Sequence, residues 1–421
     1  MEALTNWAGN YTYSAARLHR PGSIEELREL VVACRKLRVL GTRHSFNTIA
    51  DTPEDLISLE RLNRVVSLDP AGRTVTVEAG IRYGELSRWL HREGFALHNL
   101  ASLPHISVAG ACATATHGSG NRNGNLATAV TALTLVTADG ELVTLTREAD
   151  GDLLRGAVVG LGAVGVVARL TIEIMPAFMM RQDRYERLPF EQLEAHIDEL
   201  MGLAYSVSIF TDWCNAERTD VLVKRRLENG AGDEVEAELF GARRAERPRH
   251  PIEGMPPDNL TDQHGDPGPW HERLPHFRLD ATPSKGDELQ SEYFVPRSRG
   301  AEAVRALREL GPQLAPQLYI SEIRTIAADE LWMSPCYRQD SLGLHFTWRK
   351  NWPAVRELLP LVEAKLAPLG ARPHWGKLFN MAPAELQSRY ERLGEFRALL
   401  DRFDPEGKLR NPFIEQYIFG A

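Results

Sequence analysis

Apolar positions along this 421-residue chain change their period several times. Ser23-Ile24-Glu25-Glu26 reads as a capping box, and Ile24, Leu27, Leu30, Val31, Cys34 and Leu37 recur at helical spacing. A helix to about Lys36 is predicted, followed by a short strand at Arg38-Val39-Leu40 that ends at Gly41. Short β-like runs follow at 56–59, 65–68 and 74–78, then a helix at 83–91 that Gly94 suits as a stop. Runs at 131–138 and 141–145 flank Asp139-Gly140, a hairpin signal, and a strand is predicted at 166–174 after the glycine-rich 160–165. The character changes after Pro176. A helix is predicted at 190–200, and strands at 206–210 and 221–224. The Pro/Gly/charged stretch from 229 to about 268, with Arg243, Arg244, Arg247 and Arg249, reads as a solvated loop. Strands at 289–295, 318–325 and 342–348 come next, with a helix at 302–310 between the first two. Leu386, Tyr390, Leu393, Arg397 and Leu400 predict one helix behind Pro383, and 404–413 a compact turn. No period of about 20–50 residues repeats, which excludes a solenoid.

Length points to two domains. A formal net charge of −8 argues against general nucleic-acid binding, and 43% hydrophobic with 25% charged residues is ordinary for a globular chain. No run of about 18 apolar residues could span a membrane. The opening Met1-Glu2-Ala3-Leu4-Thr5-Asn6-Trp7 shows no basic region followed by an apolar core, so the expectation is a cytoplasmic protein. Cys34, Cys112, Cys214 and Cys336 form no metal-type pair and read as reduced thiols.

Three stretches carry candidate chemistry. Gly41-Thr42-Arg43-His44-Ser45-Phe46-Asn47 presents an imidazole on a tight turn at a strand end. There it could be a base, a metal ligand or a nucleophile toward an electrophilic cofactor carbon, although a lone turn histidine is more often none of these. Residues 100–120 are almost free of long side chains and carry Ser102, Ser107, Thr114, Thr116 and Ser119. Such a backbone can approach a bulky ligand and offer N–H groups and hydroxyls, or it can be a tightly packed small-residue helix. Neither a GxGxxG nor a Walker pattern is present. On the predicted strands, Glu322 and Arg324 share a face, as do His345 and Thr347, each among apolar neighbours. With His374 and Lys377 they could converge on one polar site; the alternative is a structural ion pair on a solvent-facing sheet.

Together these residues resemble the FAD-dependent alditol oxidases of the vanillyl-alcohol-oxidase superfamily, in its sugar-lactone/alditol oxidase branch. The matching motifs are Asn6-Trp7-Ala8-Gly9-Asn10, the 41–47 turn, 101–120, Glu322-Ile323-Arg324, His345-Phe346-Thr347-Trp348, Arg372-Pro373-His374-Trp375-Gly376-Lys377 and 404–411. They run in family order over nearly the whole chain. The resemblance implies a two-domain α+β fold of the vanillyl-alcohol-oxidase type. Residues 1–177 would form the first part of an FAD-binding domain, 178–378 a substrate (cap) domain with an antiparallel sheet, and 379–421 the return to the FAD-binding domain. FAD would be bonded covalently to His44. Its contacts would be Val39, Leu40, Gly41, Thr42, Arg43, His44, Ser45, Ser102, Ser107, Gly110, Thr114, Ala115, Thr116, His117, Val167 and His374. Ser102, Glu322, Arg324, Thr347 and Lys377 would bind the polyol, with Glu322, Arg324, Lys377 and His345 catalytic and His345 or a water as base. Three departures stand out. Thr42-Arg43 occupy positions where the family carries small residues, Ala115 one where it carries glycine, and Ala111-Cys112 replace Ser-Val. The implied activity is oxidation of the terminal primary alcohol of alditols such as xylitol and sorbitol to the aldose, with dioxygen reduced to hydrogen peroxide. Polyol and dioxygen would be the partners of a monomer with no metal, nucleic acid or membrane. The rivals are a gulono- or arabinono-1,4-lactone oxidase or dehydrogenase, a metal hydrolase around His105 and His117, and a flavoprotein that binds without turnover.

Overall fold

A computed structural model describes residues 4–227, 235–281 and 287–420. Its N-terminal part builds two main sheets and a two-stranded one that pairs Phe95–Ala96 with Met175–Pro176. In the first, the strands Arg17–His19, Asp55–Ser58 and Leu37–Leu40 lie parallel, with Asp55–Ser58 central. In the second, Val65–Asp69, Thr74–Glu78, Val166–Glu173, Val130–Val136 and Leu142–Thr146 follow one another antiparallel. Between them a core gathers apolar side chains from positions 24–180 and again from 375–418. Trp270, Leu274 and the segment around Trp332 join it from the middle of the chain.

The middle of the chain builds a ten-stranded sheet with its own core. Its central neighbours are Ser206–Thr211, Leu318–Ile326, Ser341–Arg349 and Glu288–Pro296, all antiparallel. The helices Phe190–Met201, Gly300–Leu314 and Trp352–Leu366 cover one face, where Val207, Ile209, Ile323, Leu344 and Phe346 are wholly buried. Strand alternation then sends the intervening residues to the other face, toward the N-terminal part.

Several elements depart from the sequence-based expectation. The helix expected to Lys36 spans Ile24–Ala33, because Cys34 turns extended and its N–H caps Leu30 O. The single helix expected across 386–400 is two, Pro383–Ser388 and Leu393–Phe403. The break lets the Tyr390 ring pack on Trp375 at 5.0 Å and Arg389 donate to Ala367 O. The arginines read as solvated are partly structural. Arg244 ends a short strand, Ala242–Arg244, and pairs with Asp183 at 2.8 Å, and Arg249 pairs with Asp220 at 2.6 Å. Both carboxylates are buried, and a buried charge requires a partner. Residues 229–234 of that stretch lie outside the described residues. The solvent-facing alternative for the Glu322–Arg324 strand is excluded, since both side chains are buried.

The 404–413 turn packs on the N-terminal part. Asn411 Nδ2 donates to the carbonyls of Thr48, Ile49 and Asp51, and Leu37 N donates to Lys408 O. Arg38 closes the same junction. Its wholly buried guanidinium donates to the carbonyls of Gly162, Leu409, Ile49 and Leu161. Burial lowers its pKa to about 10, and Asp404 opposes that. Arg38→Met takes this donor from four carbonyls at the junction, of which Ile49 O keeps its bond from Asn411. It should lower the free energy of unfolding by roughly 3 kcal/mol or more, given about 1–3 kcal/mol per unsatisfied group. Urea unfolding of the two proteins, followed by tryptophan fluorescence, measures this; equal midpoints would remove Arg38 from that role.

Candidate active site

A cavity of about 680 Å³ lies between the N-terminal part and the open face of the large sheet. The 41–47 turn forms one wall. Trp7 N donates to Arg43 O, Asn6 Nδ2 to Ser45 O and Asn10 Nδ2 to Phe46 O, so the N-terminal segment straps the turn from outside. The Trp7 ring stacks on His44 at 5.3 Å. His44 Nδ1 lies 3.1 Å from Thr42 Oγ1, while Nε2 is buried without a partner. Burial, reinforced by the field of His105, lowers the His44 pKa to about 4, so the ring is neutral. On the inner side, the same turn is clamped to the Lys377 segment. Phe46 N donates to Gly376 O, and Asn47 Nδ2 donates to both Trp375 O and Lys377 O at 2.8 Å.

The small-residue stretch is both things expected of it. It contains a short helix, Val108–Ala113, and it lines the cavity. Gly41 and Gly110 approach Ser107 so closely that a Cβ on either would meet its Oγ at 2.9 Å. Of the sixteen positions expected to contact FAD, fifteen line the cavity and Ala115 does not. Ala115 is buried in the core with φ +54°, and its left-handed turn separates two cavity-lining residues, Thr114 and Thr116. Arg43 has φ +63°. Two departures from the family pattern therefore sit where the backbone favours glycine.

The opposite wall is the open sheet face. Register places Glu292 across from His345, His345 across from Glu322, and Glu322 across from Phe210. Thr347 lies opposite Gln290 and Ile320. Glu322, Arg324, His345, Thr347 and Lys377, drawn from three segments, all line this one wall, with Ser102 reaching in from the other side.

Their hub is a residue that the sequence reading did not name. Glu292 is wholly buried. Its Oε1 accepts from Arg324 Nη2 at 2.6 Å, and its Oε2 from Lys377 Nζ at 2.6 Å. His117 Nε2 lies 3.3 Å away and His345 Nδ1 4.0 Å. Burial pushes the Glu292 pKa up, but Lys377, Arg324 and His117 together hold it well below the ordinary carboxylate value. The expected pairing of Glu322 with Arg324 is thus the weaker one, at 3.7 Å. Glu322 Oε1 instead bonds His276 Nε2 at 2.7 Å, and His276 is the second residue missed. Glu288, Gln290 and Glu292 recur at every second position in and beside the predicted 289–295 strand, with Leu289, Ser291 and Tyr293 between and after them, so three long polar side chains share one face and could have revealed the hub. His345 is neutral, its pKa held well below normal by burial and by Lys377. Its Nδ1 accepts from Lys377 at 2.9 Å and its Nε2 lies 3.1 Å from Thr347 Oγ1. His105 and His117 do not form the metal cluster of the hydrolase alternative. The one candidate ligand group among the described residues is His19, Cys34 and Asp55, where Arg17 already holds both oxygens of Asp55.

These residues fit an FAD. A neutral imidazole with an unpartnered buried nitrogen faces a cradle of close-packed glycines and hydroxyls, and the cation-lined wall lies across from it. Comparison with known proteins agrees. Residues 15–146 match the family model described as FAD binding domain, and residues 283–417 match that of D-arabinono-1,4-lactone oxidase. Among solved structures, cholesterol oxidase from B. sterolicum superposes with a TM-score of 0.79 at 15% identity, covering 99% of this chain and 96% of that one. The fold is thus the two-domain FAD-binding type of the vanillyl-alcohol-oxidase superfamily. An alditol oxidase of Streptomyces sp. is 46% identical over 99% of both chains. L-gulono-1,4-lactone dehydrogenase of Mycobacterium tuberculosis is 28% identical, and mouse L-gulonolactone oxidase 26%, each over 98% of both chains. This chain belongs to the alditol oxidase family of FAD-dependent oxidoreductases.

The cavity makes stability depend on acid. His117, His250, His276, His345 and His374 line it, and burial lowers the pKa of each below the ordinary 6.5, to about 4 for His276. Groups with depressed folded pKa values contribute stability that is present above 6.5 and lost as pH falls toward 4, because the unfolded chain takes up protons that the folded one refuses. Each such group adds a slope of up to about 1.4 kcal/mol per pH unit. Urea unfolding of the holoprotein should show a loss of several kcal/mol between pH 7 and 5; a flat profile would show that these rings are charged when folded.

Proposed function

We propose that this chain oxidises the terminal primary alcohol of alditols, xylitol and sorbitol among them, to the aldose, with dioxygen reduced to hydrogen peroxide, and that His44 holds the FAD covalently. The observation that carries the reading is the pair of buried cations, Arg324 and Lys377, held 2.6 Å from the two oxygens of Glu292 and lining the cavity wall opposite the His44 turn. FAD, when bound, supplies the hydride acceptor and passes the electrons to dioxygen. The chain does the rest. Arg324 and Lys377 stabilise the alkoxide that develops as the hydroxyl loses its proton. Glu292 keeps both cations in place without spending its charge on the substrate. Glu322 accepts hydrogen bonds from the neighbouring hydroxyls, Ser102 exchanges one with them, and Thr347 holds another. His345 is the base: when Lys377 turns its N–H from Nδ1 to the substrate oxygen, the freed nitrogen takes the hydroxyl proton. His44 suits attachment because a neutral ring nitrogen is a nucleophile, and the Trp7 stack and Thr42 fix its plane.

A peroxide assay tests the substrate. Xylitol and sorbitol should turn over with kcat/KM at least ten-fold above gulono-1,4-lactone, and the reverse order would place the chain with its lactone-oxidising relatives. Lys377→Met should lower kcat by about 10²–10³-fold, the scale of losing one preorganised donor, with flavin content unchanged. Equal loss of both would sink its role. His44→Ala should release all flavin into the supernatant after acid precipitation, whereas the parent protein keeps it in the pellet; yellow pellets from the variant would move the attachment elsewhere.

A further inference from the structure

Behind Glu322 lies a second layer that takes no part in the chemistry assigned above. Lys224, on the strand Asp220–Leu227, is wholly buried with no carboxylate in contact among the described residues. Its ammonium donates to Leu274 O and Pro275 O, and its Nζ lies 3.3 Å from His276 Nδ1. His276 in turn reaches Glu322 Oε1 at 2.7 Å through its other nitrogen. Ionised Glu322 can only accept, so His276 Nε2 carries the proton given to it, and Nδ1 of the neutral ring accepts from Lys224. The backbone of the same residue grips the far side of the cavity. His276 N and Phe277 N both donate to Ser102 O at 3.2 Å, while Thr261 N donates to His276 O at 2.9 Å. Phe210 packs edge-on against the ring at 5.4 Å. One histidine thus joins Ser102 on the FAD-binding side to Glu322 on the sheet.

We propose that Lys224 and His276 are positioning residues: the directed chain from Lys224 through His276 fixes one oxygen of Glu322, leaves the other beside Arg324 for a substrate hydroxyl, and sets the gap between Glu322 and Ser102. The proposal rests on the reading of Glu322 and Ser102 as polyol ligands. Removing a neutral imidazole leaves the cations of the reacting end untouched, so substrate affinity should suffer and the chemical step should not. Burial lowers the Lys224 pKa to about 7 against the field of Glu322, which marks the cost of keeping an ammonium there.

The test is a double-mutant cycle on the holoenzyme with xylitol, read as KM and kcat separately, with the melting temperature and bound flavin as controls. His276→Ala should raise KM at least ten-fold with kcat within about three-fold, and His276→Gln, whose amide can still donate to Glu322, should recover part of the loss. Lys224→Met, close in shape and free of a buried charge, should raise KM in the same direction and carry the test if His276→Ala does not fold. Combined with Glu322→Gln, either change should add little, because all three act through one carboxylate. Additive losses in the double variants, with Glu322→Gln alone raising KM, would overturn the positioning role and leave the site reading standing. An unchanged KM in Glu322→Gln would overturn both.

Discussion

The structure turns on one enclosed carboxylate. Removing Glu292 from water costs several kcal/mol unless partners recover it. Its partners come from separated parts of the chain: Arg324 from a neighbouring strand, Lys377 from the segment after Arg372–Pro373, and His117 from the FAD-binding side. None of these can be satisfied unless the sheet register, the return of the chain at Lys377 and the docking of the two domains are all correct. A one-residue slip of the Glu288–Pro296 strand would send Glu292 to the helix-covered face and Ser291 or Tyr293 to the cavity. The register of the sheet and the electrostatics of the site are therefore one constraint.

The same logic governs how the His44 turn meets the sheet wall. Asn47 spends both hydrogens of its amide on the carbonyls of Trp375 and Lys377. The turn that carries His44 and the segment that carries Lys377 thereby move as one body. On the far side, His276 and Ser102 form a second tie across the cavity. The wall that carries the His44 turn and the wall formed by the sheet are therefore held to each other at several points, among them the Asn47 amide, the backbone bonds at Ser102 and the His117–Glu292 contact, so the width of the cavity is set by more than flexible side chains. Orientation of that kind is most of what a protein adds to a cofactor that carries its own redox chemistry.

Much of this was legible in the sequence because the relevant residues are local. The 41–47 turn, the small-residue stretch and the two strand pairs each announce themselves within a few positions, and their family order added the cofactor. What stayed hidden is long-range. Glu292 sits 32 residues from Arg324 and 85 from Lys377, so its partners could not be read from spacing. His276 and Lys224 lay in stretches without a motif, and Arg244 and Arg249 looked solvated until the fold brought Asp183 and Asp220 beneath them. Strong tertiary packing also overrode local pattern at Tyr390, where apolar spacing continued through a break between two helices. Ala115 shows the opposite case: a motif placed it at the cofactor, yet its side chain faces the core and only its backbone turn serves the site.

Charge balance narrows what the cavity accepts. Glu292 and Glu322 are held ionised, Arg324 and Lys377 are their counter-ions, and the surrounding imidazoles are neutral. These four side chains therefore balance one another before substrate arrives, with Lys224 set behind His276 and away from the cavity. A neutral ligand rich in hydroxyls enters without disturbing it, whereas a carboxylate or phosphate would add an unbalanced anion to a desolvated site. In the proposed reaction, a hydroxyl losing its proton would place its negative charge next to two cations that Glu292 already holds in position. Their field would then act on the developing alkoxide more than on the ground-state alcohol, which is the condition under which binding energy accelerates a reaction.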